Sequence, residues 1–383
     1  MSYLFGLSSD QRELQHALRR MLDHEYGSEA MRVAVASPLR FAEPAWKQLA
    51  DLGTLGIACT EAHGGSGLGM TDLVAVMETL GRMPLAAPLA ESFVATHLLN
   101  RFGTDAQKAN WLPRIAGGSC IATIAVDEPD SYWSAQGVCA KALSGPEGLE
   151  LFGRKVRVPY AHIADLVVCS VRSGIYDAPQ WVLLERADLE GRVEVHDALD
   201  DTYALCEVKL DGHTVPRSHE LTSGAEEASW SEAQDVLNLL CSAELVGSME
   251  RALELLLGYA KERVQFGKPI GSYQAMKHRC ADMLIDLEAV RGATYYAGWA
   301  VQERQSDRAM AVSSAKAYAA DAAVRCAEKA LQSFGAIGFT WEHDIHFHLK
   351  RSRRLEMQAG DARFHRERIA RSLIEAVPSS ELS

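Results

Sequence analysis

The sequence of 383 residues contains no apolar run of the roughly 20 residues that a membrane-spanning helix needs. It also lacks paired cysteines. The eight it has, Cys59, Cys120, Cys139, Cys169, Cys206, Cys241, Cys280 and Cys326, never fall within four residues of one another, so zinc-type Cys-x-x-Cys pairs are missing. The opening stretch, MSYLFGLSSDQRE, has neither the basic start nor the long apolar centre of an export signal. A cytoplasmic location is therefore expected, with no disulfide framework and with the cysteines as small buried hydrophobes. Positive charge is in deficit: Lys and Arg number 39 against 51 Asp and Glu, a formal net charge of −12. An acidic surface repels phosphate backbones, so neither a nucleic-acid nor a membrane partner is expected.

What is present is a globular composition, 48% hydrophobic, in a chain long enough for two or three cores. The predicted class is α+β in three segments. Residues 1–118 read as helical: Leu14, Leu18, Met21 and Leu22 share one helix face, with Asp10 and Glu13 as a capping box. A second helix is predicted over Thr71–Gly81. Residues 119–221 hold short apolar runs, Cys120–Val126, Leu149–Val158, Leu166–Val171, Trp181–Leu184 and Ala204–Leu210, without long helices between them. That pattern predicts an antiparallel sheet or barrel. Residues 222–383 return to helical periodicity, with helices predicted up to about Arg263, from about Ser272 through Tyr295-Tyr296, from about Met310 to Phe334, and after Gly360, which together make a four-helix bundle.

Several motif-like strings fail on context. The loop Gly64–Gly69 has no Gly-Lys-Ser/Thr ending and no strand–helix frame, so it reads as a flexible loop, and Pro269 after Gly267-Lys268 removes a second P-loop candidate. Ser313-x-x-Lys316 lies in an alanine-rich helical run without its usual companion motifs and reads as a solvated helix face. Glu342, His343, Asp344, His346 and His348 lack a metalloprotease frame and read as a connecting loop with polar contacts; no metal is expected.

The stretch Glu262–Arg279 combines a planar cation (Arg263), an aromatic (Phe266), two helix breakers (Gly267 and Pro269) and a new helix start at Gln274. An interhelix turn carrying a surface arginine has this composition, and so does a site for a dinucleotide's pyrophosphate. The whole string, Glu262-Arg263-Val264-Gln265-Phe266-Gly267-Lys268-Pro269-Ile270-Gly271-Ser272-Tyr273-Gln274, closely resembles a signature of the acyl-CoA dehydrogenase family. Gln332-Ser333-Phe334-Gly335-Ala336-Ile337-Gly338 resembles a second signature, and Glu61–Gly69 a weaker third.

The resemblance implies a helical N-terminal domain, a middle β domain and a C-terminal four-helix bundle, in an enzyme that binds FAD non-covalently. Such an enzyme takes the α and β hydrogens from an acyl-CoA thioester, the α proton going to a carboxylate and the β hydride to flavin N5. It also implies that Arg263, Phe266, Gln274, Gln332, Gly335 and Ala336 touch the ADP half of a neighbouring subunit's FAD, hence an oligomer, and that electron-transfer flavoprotein is the acceptor.

Other positions depart from the family pattern. Asp127 stands where a threonine would meet the flavin, Asp130, Tyr132 and Trp133 replace small glycines, and Arg157-Val158-Pro159 replaces Trp-Ile-Thr, with Pro159 offering neither hydroxyl nor N–H. The two usual positions of the base fall on Ala359 and Leu237. Glu244 lies seven residues after Leu237, about 700° round and about 10 Å along the helix, among Ala243, Leu245 and Val246. Desolvation there would suit it to base duty, so Glu244 is the expected base and Asp361 the second choice; the alternative for Glu244 is an acid that pairs with a neighbouring arginine or caps packing. Ala243-Glu244-Leu245-Val246-Gly247 also resembles an element of bacterial subunits that pair with a second dehydrogenase-like chain in α2β2 assemblies. The expected function is thus an FAD-dependent acyl-CoA dehydrogenase subunit of such a complex, with a bulky acyl group such as a steroid side chain. A non-catalytic subunit completing a partner's FAD site is the alternative. An enzyme of the same fold on a different substrate is a third.

Overall fold

The computed structural model describes residues 6–130, 133–173, 179–221 and 227–375. Its helices are α1 (Ser9–Glu25), α2 (Ser28–Ala36), α3 (Glu43–Asp51), α4 (Met70–Leu80), α5 (Leu89–Phe102) and α6 (Asp105–Ala116), then the short α7 (Arg186–Leu189), and then α8 (Glu227–Glu262), α9 (Gln274–Gln302), α10 (Arg308–Phe334), α11 (Ile345–Met357) and α12 (Ala362–Glu375). The strands are β1 (Ala122–Ala125), β2 (Lys141–Ser144), β3 (Leu149–Phe152), β4 (Arg154–Pro159), β5 (Leu166–Ser173), β6 (Pro179–Glu185), β7 (Val193–His196), β8 (Leu205–Lys209) and β9 (His213–Val215), followed by a small hairpin of β10 (Val264–Gln265) and β11 (Lys268–Pro269). Helices fill the chain up to Ala116 and predominate from Glu227 on, with β1–β9 between Ala122 and Val215. In space the chain forms two compact units. One consists of Met1–Ser28, Met70–Leu85 and Asn238–Ser383, the other of Glu29–Gly69 and Ala86–Leu237.

The second unit holds the sheets. One runs β1-β5-β2-β3-β9, with β6 on the other edge of β5. β5 pairs with β1 and β2 in parallel and with β6 antiparallel, so the expected wholly antiparallel sheet is in fact mixed. A separate antiparallel sheet runs β4-β8-β7. The single run expected over Leu149–Val158 is broken at Gly153, whose φ of 106° turns the chain from one sheet to the other. A bulge in β4 between Lys155 and Val158 turns both inward. Lys155 is fully buried there; its ammonium donates to Glu128 Oε1 at 2.6 Å and to Ser170 Oγ at 3.0 Å. Glu128 accepts in addition from the N–H groups of Cys139 and Ala140. A buried charge survives only when paired and hydrogen-bonded like this. The glycine loop is not flexible. Ser66, Gly67 and Leu68 donate to the carbonyls of Gly56, Cys59 and Ile57, and a Cβ on Gly65 would lie 2.3 Å from Cys59 Cβ.

The first unit is helical. α1 buries Leu18, Met21 and Leu22, as its periodicity predicts, but its capping box is Ser8 with Gln11, two residues earlier than Asp10 and Glu13. α4 begins at Met70, so Thr71 is no N-cap; its hydroxyl bonds Gln302 instead. The alanines of α10 are buried, and the low side-chain bulk lets neighbouring helices close on it. Ser313 and Lys316 are fully buried on this helix rather than on a solvated face. The segment expected as a loop around His346 and His348 is the first turn of α11. Among the described residues no group of His, Cys, Asp or Glu could hold a metal. Of the cysteines, Cys139 is exposed and Cys280 half-buried, and the others are buried as expected.

The tightest approach in this unit joins α4 to α8. A Cβ on Gly247 would sit 1.9 Å from Glu78 O, and one on Gly81 would sit 2.2 Å from Glu244 O. Only glycine at both positions lets the backbones meet. Gly247→Ala is expected to destabilise the unit by about 3 kcal/mol, as overpacking of a rigid core does, read as a lowered urea midpoint.

Candidate active and cofactor site

Two of the signature segments meet at one end of the helical unit. α8 ends at Glu262, and β10 and β11 pair antiparallel around a two-residue turn, Phe266-Gly267. Both turn residues have positive φ, 51° and 81°, which matches the twist of a tight hairpin. The sequence signals a turn here but not its pairing. Ile270 N–H returns to Arg263 O at 2.8 Å, Tyr273 OH donates to Gln265 O, and the Lys268 ammonium lies 4.3 Å over the Tyr273 ring. The hairpin therefore has a defined shape. It leaves Phe266 93% exposed, and among the described residues the exposed Arg263 guanidinium has no acidic partner.

The second segment is fixed against the first. Tyr259, one turn before Arg263, packs its ring 4.5 Å from that of Phe334 and donates to Phe334 O. Arg279 on α9 donates to Ser333 Oγ at 2.6 Å. α10 then stops at Gly335, whose φ of 67° and ψ of −143° favour glycine. Gln274, Gln332, Gly335 and Ala336 are exposed beside these anchors. A free guanidinium, an exposed ring, two uncommitted amide side chains and a glycine turn are the groups that suit the ADP half of FAD.

The residues expected at the flavin half are arranged otherwise. Asp127 accepts from Arg157 Nε at 3.0 Å; burial pushes its carboxyl above the usual range against the pull of that guanidinium. Arg157 itself adopts a φ of 52°. Val158 is fully buried in the core of the sheets, so its side chain faces that core, and Pro159 is buried opposite Leu205 on β8. Glu128, which the sequence reading passed over, anchors this loop through Lys155. Of the former glycine positions, Asp130 is exposed and Tyr132 lies outside the described residues. These groups do not form a neutral donor set for a flavin ring.

Glu244 is 8% exposed, as the apolar neighbours predicted, but it is not alone. Arg351 Nη1 donates to its Oε1 at 2.6 Å and Arg354 Nη2 to the same oxygen at 3.3 Å, both from α11. Arg351 also donates to Leu85 O. The apolar neighbours predict burial of Glu244, with pairing to an arginine as the alternative to base duty; the two arginines lie about 110 residues on, on α11, a helix the local pattern leaves unassigned. Asp361, the second choice, spends Oδ1 on the N–H of Phe364 at the start of α12 and so works as a helix cap.

Residues 8–119 match the model of the acyl-CoA dehydrogenase N-terminal domain, and residues 233–374 match that of the C-terminal domain. The chain belongs to the acyl-CoA dehydrogenase family. Members of this family are FAD-dependent oxidoreductases. Among curated relatives, the acyl-CoA dehydrogenase FadE27 of Mycobacterium tuberculosis is 30% identical, over 88% of this chain and 89% of that protein. Among solved structures, the ChsE4-ChsE5 complex from Mycobacterium tuberculosis superposes with a TM-score of 0.88 at 26% identity, over 98% of this chain and 100% of that one. A Tcur3481-Tcur3483 steroid ACAD variant gives 0.86 at 28%, over 96% and 98%.

In this acyl-CoA dehydrogenase the His343–His348 cluster serves packing. His343 Nδ1 accepts from Ile345 N–H, and His346 stacks between Trp341 and Phe347. His348 is buried, with Nδ1 2.9 Å from Ser248 Oγ on α8. Burial, reinforced by the positive charge of Arg251, pulls its pKa down to about 3. The folded chain thus keeps His348 neutral, whereas the unfolded chain titrates it near 6.5. As pH falls below that value only the unfolded state gains the proton, so stability is lost from about 6.5 down to about 3. At about 1.4 kcal/mol per pH unit, the loss reaches about 4–5 kcal/mol. His365 is pulled down to about 3 as well, so His348→Gln is expected to make this acid limb about half as steep, not to remove it, in a series of urea midpoints measured against pH.

Proposed function

We propose that the chain is one subunit of a heteromeric acyl-CoA dehydrogenase, of the α2β2 kind, that catalyses α,β-dehydrogenation of an acyl-CoA thioester in the cytoplasm with electron-transfer flavoprotein as acceptor. The observation that carries this reading is a contrast between two sets of positions, each taken within its own unit. The end that suits ADP is exposed and preformed, while the flavin-side positions carry an Asp127–Arg157 ion pair, a core valine and a proline. One chain with half of a cofactor site needs another to complete it. A bulky acyl group, such as a steroid side chain, is supported by the likeness to a steroid ACAD pair and to a two-protein mycobacterial complex. FAD supplies the hydride acceptor when it is bound. From this chain, Arg263 offers the planar fork for a phosphate, Gln274 and Gln332 offer amide contacts, and the positive φ of Gly335 lets the backbone turn beneath them. Glu244 is the proposed base, held in place by Arg351 and Arg354.

A second reading is favoured by those same arginines. With both guanidiniums on one oxygen, Glu244 resembles a buried structural ion pair, and the chain would then be a non-catalytic partner whose contribution is the ADP half. Co-expression with the adjacent-gene partner separates the two. Arg263→Ala is expected to weaken flavin retention about 10- to 100-fold, the weight of a charge-assisted bidentate contact. Glu244→Gln is expected to keep FAD and lose turnover; full turnover in that variant selects the second reading. Full flavin content and activity in this chain purified by itself would overturn the need for a partner.

A further inference from the structure

The turn after α11 holds two successive residues in the left-handed region, Ala359 at φ 58° and Gly360 at φ 117°. For alanine that conformation is strained, and strain persists only where surroundings impose it. Here the surroundings are buried polar side chains from three helices. Lys316 on α10 is fully buried; its ammonium donates to Gly360 O at 2.8 Å and to Glu356 O at 3.2 Å. Asn238 on α8 donates through Nδ2 to Ala359 O at 3.2 Å. Its Oδ1 lies 3.1 Å from Nε2 of the fully buried His365 on α12, whose Nδ1 lies 3.3 Å from Ser313 Oγ. A Cβ on Gly360 would lie 2.9 Å from that same Nε2, so the turn is packed directly on the imidazole.

A lysine satisfied only by carbonyl oxygens is a costly thing to bury. The titratable groups facing it are Cys241 on α8, Glu356 on α11, Asp361 in the turn and His365 on α12, which also faces Arg368. Burial pulls Lys316 down to about 8 and His365 to about 3. Sheet-like or helical continuation of α11 would need none of these groups. Their common target is the backbone of residues 356–360, and that backbone leads straight to Glu244. Gln358 N–H donates to Arg354 O, Gln358 Oε1 accepts from Arg354 Nη1, and Arg354 Nη2 reaches the Glu244 carboxylate.

We propose that Lys316, Asn238 and His365 form a positioning set that clamps the Gln358–Gly360 turn and, through Gln358 and Arg354, fixes the carboxylate of Glu244. The inference rests on the reading of Glu244 as the base. None of the three touches substrate in this scheme; they act through Arg354.

Hydrogen exchange of the full chain tests the clamp without reference to activity. Lys316→Met is expected to speed exchange at the Gln358, Phe364 and His365 amides by about ten-fold or more, with the amides of α9 unchanged. Should Lys316→Met fail to fold, Asn238→Ala reads the same amides. Equal acceleration throughout the helices, or none at the turn, overturns the clamp. In the FAD-loaded complex, either variant is expected to lower kcat about ten-fold at unchanged KM, and to add nothing further in a Glu244→Gln background, as two groups acting through one carboxylate must. Faster exchange with unchanged kcat overturns the link to Glu244. Turnover of Glu244→Gln with Lys316 intact is a separate readout, so failure of the clamp and failure of Glu244 as the base remain distinguishable.

Discussion

The meeting of α4 and α8 backbones at Gly81 and Gly247 is the constraint on which the helical unit depends. Neither glycine leaves room for a Cβ. Because the backbones touch, the side chains on either side of the contact are committed. Glu78, on α4 beside the contact, is buried and receives Arg291 Nε at 2.8 Å and Tyr295 OH at 2.6 Å from α9. Glu244, three residues before Gly247, is buried and receives two arginines from α11. Glu250, three residues after it, is shared by Arg19 on α1 and Arg82 just beyond α4. One close crossing thus places three carboxylates where α1, α9 and α11 can each reach one. The cost of burying those charges is offset only by that geometry.

The same bookkeeping separates scaffold from site. Three buried acids have cations on them: Glu128 with Lys155, Glu78 with Arg291, and Glu244 with Arg351. The exposed Arg263 is the reverse case, a cation on a hairpin with a defined shape and no acid against it among the described residues. A structural arginine has a partner within the chain, whereas a binding arginine has its partner outside it. Asp127 and Arg157 are committed to each other and Glu244 to Arg351 and Arg354, whereas Arg263 meets no acid among the described residues.

Legibility followed the range of the interactions involved. Helix faces, the strand texture of the middle segment and the signature around Arg263 depend on neighbours a few residues apart, and the sequence carried them. What was missed depends on distant partners. The parallel pairings of β5 join segments about 40 and 30 residues apart, and no local alternation distinguishes them from antiparallel ones. Ser313 and Lys316 looked solvated because a lysine in an alanine-rich helix normally is; the carbonyls that bury Lys316 lie about 40 residues on. The residues from Glu342 to His348 read as a loop because their polarity hid the helix face of Ile345, Phe347 and His348. No helix is expected between Gly335 and Gly360, so an arginine that could pair with Glu244 had no assigned place; Arg351 and Arg354 supply it from α11.

The acidity of the chain sharpens what its exposed end must do. With 39 basic and 51 acidic residues, the average field repels anions, and both FAD and an acyl-CoA are anionic. Attraction must then come from cations close enough to outweigh that average, within about one Debye length of 8–10 Å. Several arginines of the helical unit are already spent on acids. Arg291 holds Glu78 and Glu288, Arg325 holds Asp286, and Arg353 holds Glu328 and Glu356. Arg263 is not, and the ring beside it, Phe266, is held in a left-handed turn and turned out to water. A strained, exposed aromatic gains nothing in the chain by itself; covered by a planar ligand or by another subunit, it would bury apolar area worth about 25 cal/mol per Å². Charge and apolar area therefore point the same way, toward an anionic, ring-bearing group completed from outside this chain.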